Sequence, residues 1–87
     1  MENEELRKKI RDAVVLLENY RSFGPMVGEG IDALNRIDAC VAEPTPERVA
    51  EAKRLFEGLH REIGPYQSYV PTVALALQEF NEWAKTF

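Results

Sequence analysis

The chain has 87 residues, 45% of them hydrophobic and 30% charged, with a formal net charge of −4. That is enough for one globular domain near the lower limit of a self-sufficient core, and too apolar for a disordered tail. The acid excess argues against binding a nucleic-acid backbone, which needs clustered Lys and Arg, and no apolar run approaches the ~20 residues that span a bilayer.

The first expected helix covers residues 2–22. Leu6, Ile10, Ala13, Val14, Leu17 and Tyr20 recur at three- and four-residue spacing, with acids in the first turn, where the helix dipole favours them. Val15 and Leu16 widen the apolar surface, which suggests contact with two neighbours. Arg7-Lys8-Lys9 and Arg11 form the only basic run. With Glu4 and Glu5 ahead of it at i,i+4 spacing, the run reads as a solvated, salt-paired helix face. Gly24-Pro25 ends this helix and opens the next.

The second helix is expected over residues 25–41, with Val27, Ile31, Leu34, Ile37 and Val41 as its main stripe. Met26, Ala33 and Cys40 form a second stripe, on which Cys40 reads as a small buried hydrophobe. Glu43-Pro44-Thr45-Pro46-Glu47 then supplies an N-cap, a proline suited to the first helical position and an acid in the first turn. The third helix, residues 46–63, presents Val49, Ala52, Leu55, Phe56, Leu59 and Ile63, and Gly64-Pro65 closes it. The last helix, residues 71–86, carries Val73, Ala76, Leu77, Phe80, Trp83, Ala84 and Phe87 on one stripe. It is apolar enough to be central to the fold or half of an interface.

One stretch occurs twice. Tyr20-Arg21-Ser22-Phe23-Gly24-Pro25-Met26-Val27 returns 46 residues later as Tyr66-Gln67-Ser68-Tyr69-Val70-Pro71-Thr72-Val73. Beyond the corner, Ile31, Leu34 and Ile37 align with Leu77, Phe80 and Trp83; upstream, Ile10 meets Phe56 and Leu17 meets Ile63. The expected fold is all-α, a four-helix up-down-up-down bundle built from two similar helical hairpins. In that topology the first and third connections share one end, so the two aromatic corners become neighbours. Tyr20, Arg21, Phe23, Met26, Tyr66 and Tyr69 are then the candidate partner-binding surface, in the composition that recognition surfaces favour. The alternative is that these rings only plug the bundle end. A core this small supplies only ~3–5 kcal/mol, so self-association would add stability. Leu75, Phe80, Trp83 and Phe87 are the candidate residues for it.

The function expected on these grounds is a small acidic protein-interaction or regulatory module, binding another protein, itself as a homodimer, or both. No nucleic acid, membrane or cofactor is expected. A single cysteine excludes an intramolecular disulfide, and Met1-Glu2-Asn3-Glu4-Glu5 is unlike the basic start of a signal peptide, so the expected location is cytoplasmic.

Two further readings are open. An acidic inhibitor or immunity-type protein would neutralise a basic partner. An enzyme or metal-binding bundle would complete its site across a dimer: Glu57 and His60 have the Glu-x-x-His spacing of di-iron bundles, but the chain holds only one histidine. For catalysis, Leu6-Arg7-Lys8-Lys9-Ile10-Arg11 and Pro46-Glu47-Arg48-Val49 resemble segments of small helical chorismate mutases. The resemblance implies that Arg11 and Arg48 bind substrate carboxylates and that Gln78 approaches the ether oxygen. Val49 departs from it, standing where that family has Glu.

Overall fold

The computed structural model describes residues 2–66, 68 and 70–86, with the side chains of Glu2, Asn3 and Tyr66 outside the described part. Four α-helices carry the chain: α1 Glu2–Glu18, α2 Pro25–Ala42, α3 Pro46–Ile63 and α4 Pro71–Ala84. Short 3-10 turns lie at Arg21–Phe23 and Gly64–Tyr66. No strand occurs among the described residues.

Helix starts follow local chemistry. Pro25, Pro46 and Pro71 each open a helix, where the missing N–H costs nothing. Thr45 Oγ1 accepts from the Arg48 N–H at 3.2 Å, the expected N-cap. The ends of α1 and α4 fall short of the expected residues 22 and 86. Asn19 and Tyr20 donate instead to Leu16 and Leu17 three residues back, at 3.1 and 2.9 Å, and Phe23 donates to Tyr20 at 2.9 Å. This tighter winding uses up carbonyls that an α-helix would leave open at its end. In α4, Thr86 donates to the Trp83 carbonyl through both its N–H and its hydroxyl, at 3.1 and 2.7 Å.

The four helices form a bundle in which α1 and α3 each pack between α2 and α4. Side-chain contacts join particular levels of neighbouring helices. Arg7, early in α1, pairs with Asp38, late in α2, and Lys9 pairs with Glu79 of α4. Leu17 and Leu59, late in α1 and α3, flank Gly30, early in α2. These contacts agree with the neighbours an up-down-up-down chain would bring together. The longest dimension is 34 Å, close to the ~27 Å of an 18-residue helix with its turns added.

One core joins all four helices, with Ile10, Ala13, Ile31, Leu34, Ile37, Val41, Ala52, Val73, Ala76 and Phe80 almost wholly buried. Burial follows the 46-residue offset in part: Ile31 and Leu77, and Leu34 and Phe80, are all interior, whereas buried Ile10, Leu17 and Ile37 have the half-buried counterparts Phe56, Ile63 and Trp83. The tilted ring stack Phe56–Phe80–Trp83, with centroids 5.7 and 5.8 Å apart, links α3 to α4. Val15 departs from expectation: it is 65% exposed, and α1 reaches its two neighbours without it.

The basic run of α1 also pairs differently from the expectation. Arg7 donates Nε to Asp38 Oδ1 at 2.9 Å and Nη2 to Oδ2 at 3.4 Å, and Arg11 approaches the same carboxylate at 3.7 Å. Lys9 donates to Glu79 on the other side. These cations tie α1 to both neighbours instead of pairing along their own helix.

Candidate functional site

The corner between α1 and α2 has a definite shape. Gly24, at φ 147°, turns the chain into Pro25 with a backbone that only glycine adopts without strain. Phe23 thereby projects from the fold with its residue 79% exposed, while Tyr20 leans half-buried on the core. Met26, in the first turn of α2, is 45% exposed. Arg21 is held by Glu18: Nε donates to Oε2 at 2.6 Å and Nη2 to Oε1 at 3.0 Å. That hydrogen bonding lowers the Glu18 carboxyl below its ordinary range and raises the Arg21 guanidinium.

Beside this corner lies a cleft of ≈ 410 Å³. Tyr20, Phe23, Met26 and Val27 form the α1–α2 side, and Leu59, Ile63 and Val70 the side contributed by α3 and the approach to α4. Leu17 and Gly30 also line it, with Glu62 the one charged residue of the lining among those described. Gly30 adds depth, since a Cβ there would stand 3.4 Å from Leu59 Cδ1 and 3.6 Å from Leu17 Cδ1. Ile63 and Val70 flank the second corner, so both corners border the same cleft.

Of the candidate partner-binding residues, Tyr20, Phe23 and Met26 line this cleft and Arg21 does not. The side chains of Tyr66 and Tyr69 lie outside the described residues, as does Phe87 of the self-association set. Within that set Phe80 is a correction: at 1% exposure it belongs to the interior, held between Phe56 and Trp83. Four helices of this length close around one central layer, and Phe80 points into it. Leu75 is 48% exposed and Trp83 half-buried.

Sequence reasoning passed over Glu62, and read Gly30 as a glycine that permits close helix contact without placing it in a site. Gly30 left a signal, because it lies three residues after Val27 and four before Leu34, on a stripe otherwise filled by bulky side chains. Glu62 left none, since its place at the cleft depends on how α3 lies against α2.

The other candidate chemistries are dispersed. Glu57 and His60 are exposed, and no group of three possible metal ligands gathers among the described residues. Arg48 pairs with exposed Glu43 at 3.3 Å and lines a shallower hollow of ≈ 270 Å³ with Arg36, Cys40 and Glu51. Arg11 and Gln78 do not line that hollow. Cys40 is 4% exposed, and burial pushes its thiol pKa up. No described helix is long and apolar enough to cross a membrane. Comparison with protein-family models, curated proteins and solved structures finds no match for this chain.

Proposed function

We propose that this chain is a small acidic protein-interaction module whose receptor site is the corner cleft, where a large apolar side chain of a partner is seated. The observation that carries this reading is the exposure of Phe23 at the mouth of an apolar hollow large enough to hold a ligand group. Leaving an aromatic side chain in water forgoes ~1.5–3 kcal/mol of burial, which a docked partner would recover. Aromatic and Met side chains around a hollow also match the composition of interface centres.

Self-association is the second component of the proposal. With Phe80 interior, its support on α4 reduces to Leu75 and the half-buried Trp83.

The test is affinity capture from native cells with the wild-type chain and with Phe23→Ala/Met26→Ala, followed by amide chemical-shift mapping with the captured protein. The expected result is capture by the wild type only, with shifts concentrated at Tyr20, Phe23, Gly30 and Ile63. Equal capture by the double variant, or shifts confined to another face, overturns the reading.

A further inference from the structure

Among the described residues the lining of the corner cleft is apolar but for one side chain, and that exception specifies what can fill it. Glu62 lines the cleft from the last turn of α3. Helical geometry supplies it with no cation, because the positions three and four residues away are Gly58, Leu59, Pro65 and Tyr66. Arg61 is adjacent in sequence but lies about 100° round the helix. Arg21, next in sequence to Tyr20 of the lining, is already engaged by both oxygens of Glu18. The end of α1 and the early part of α2 add exposed Glu18, Glu29 and Asp32. Around this pole, then, four carboxylates (Glu18, Glu29, Asp32 and Glu62) stand with two guanidinium groups (Arg21 and Arg61) and the imidazole of His60.

We propose that the occupant is a basic amphipathic helix of another protein, seating one large apolar side chain over Gly30 and a Lys or Arg beside Glu62. This rests on the interaction-module reading and gives its partner a chemistry. Electrostatic complementarity selects against partners carrying the same sign. A second copy docking pole to pole would bring two acid-rich rims together, so another copy of this chain is disfavoured there. The described chain offers no strand edge for an extended peptide to join. Insertion of a helix into the apolar groove is the recognition mode that suits such a surface.

The experiment uses the full chain and fluorescein-labelled synthetic peptides of about 16 residues, long enough to form a helix. One peptide carries Leu and a single Phe on one face and Lys on the other; a second replaces Lys by Glu; a third replaces Phe by Ala. Binding is read by anisotropy. The Lys peptide is expected to bind about tenfold or more tighter than either control, and to weaken as salt rises. Glu62→Lys should invert the Lys-over-Glu ranking. Gly30→Leu, which fills the cleft floor, should abolish binding while the helical circular-dichroism signal is retained. If that variant unfolds, Phe23→Ala serves the same purpose at the exposed rim.

Equal affinity for the Lys and Glu peptides, or a ranking unmoved by Glu62→Lys, overturns the basic partner and leaves the cleft reading standing. Binding that survives both Phe→Ala in the peptide and Phe23→Ala in the chain removes the cleft reading itself. Failure of every peptide overturns the proposal, as does a concentration-dependent dimer that disperses on Gly30→Leu, which would identify a second copy as the occupant.

Discussion

Tyr20 and Phe23 meet edge to face, with ring centroids 5.2 Å apart and planes at 88°, yet only Tyr20 is packed into the protein. Such a ring pair contributes ~0.5–1.5 kcal/mol beyond area burial. Phe23→Ala should therefore lower unfolding stability by no more than about 1.5 kcal/mol and still eliminate partner capture. Leu34→Ala, at a wholly buried core position, should cost about 2–5 kcal/mol. Urea titrations of the two variants separate a recognition ring from a packing residue.

Two glycines should respond in opposite directions. Gly28 lies inside α2, and a Cβ added there would meet nothing within 4 Å, so Gly28→Ala should stabilise by about 0.5–1 kcal/mol. Gly24, at φ 147°, holds a conformation that an L side chain strains to adopt, and Gly24→Ala should destabilise by about 1–3 kcal/mol. Thermal melts of both variants beside the wild type give the signs.

Asp38 receives Arg7 through two hydrogen bonds and has Arg11 nearby, so it anchors α1 to α2 through charge as well as through the core. Asp38→Asn should lower the thermal midpoint, with the difference narrowing at high salt as screening weakens the wild-type pairs. The exchanged pair Arg7→Asp/Asp38→Arg should recover part of the loss. A double-mutant cycle without coupling between positions 7 and 38 would show that the contact adds nothing to stability.

Arg21 depresses the Glu18 carboxyl in the folded chain, chiefly by hydrogen bonding. A depressed acid contributes stability above its ordinary range, and that contribution is lost as pH falls through the folded value. The raised guanidinium groups of Arg7 and Arg21 lose theirs only at strongly alkaline pH, outside the useful range. Glu18→Gln should thus lower stability at neutral pH, converge with the wild type in strong acid and so flatten part of the acid limb, as measured by denaturant midpoints from neutral to acid pH.

Burial raises the Cys40 thiol, which keeps it protonated and screened from reagents. Modification by a thiol reagent should be slow in the native state and accelerate in step with unfolding by urea. A rapid native reaction would contradict the packing of α2 against α3. The raised thiol's contribution to stability is complete at neutral pH and declines only as pH rises through its folded value.

Much of the fold was legible in the chain because it depends on local chemistry and periodicity. Three prolines, the Thr45 cap and stripes at helical spacing located the helix starts, while the 46-residue offset matched burial at Ile31/Leu77 and Leu34/Phe80 only. The ends of α1 and α4 were less legible. There the choice between α and 3-10 winding turns on the bonding of a few carbonyls, which composition does not register.

Of the candidate site, Tyr20, Phe23 and Met26 could be found from the aromatic corner alone. In the self-association set, Phe80 shares the helical stripe of buried Val73, Ala76 and Leu77 while Leu75 lies off it, so periodicity already separated the residue that turns inward from the one left exposed.

What the chain determined unaided is the set of amphipathic helices and their punctuation, because hydrophobic spacing and backbone restriction act over a few residues. What only the tertiary structure decided is which cations of α1 reach Asp38 and Glu79, and that Gly30 and Glu62 border one cleft. Those relations join residues 27 to 70 positions apart. They arise from the lateral placement of whole helices, for which no local pattern encodes a distance.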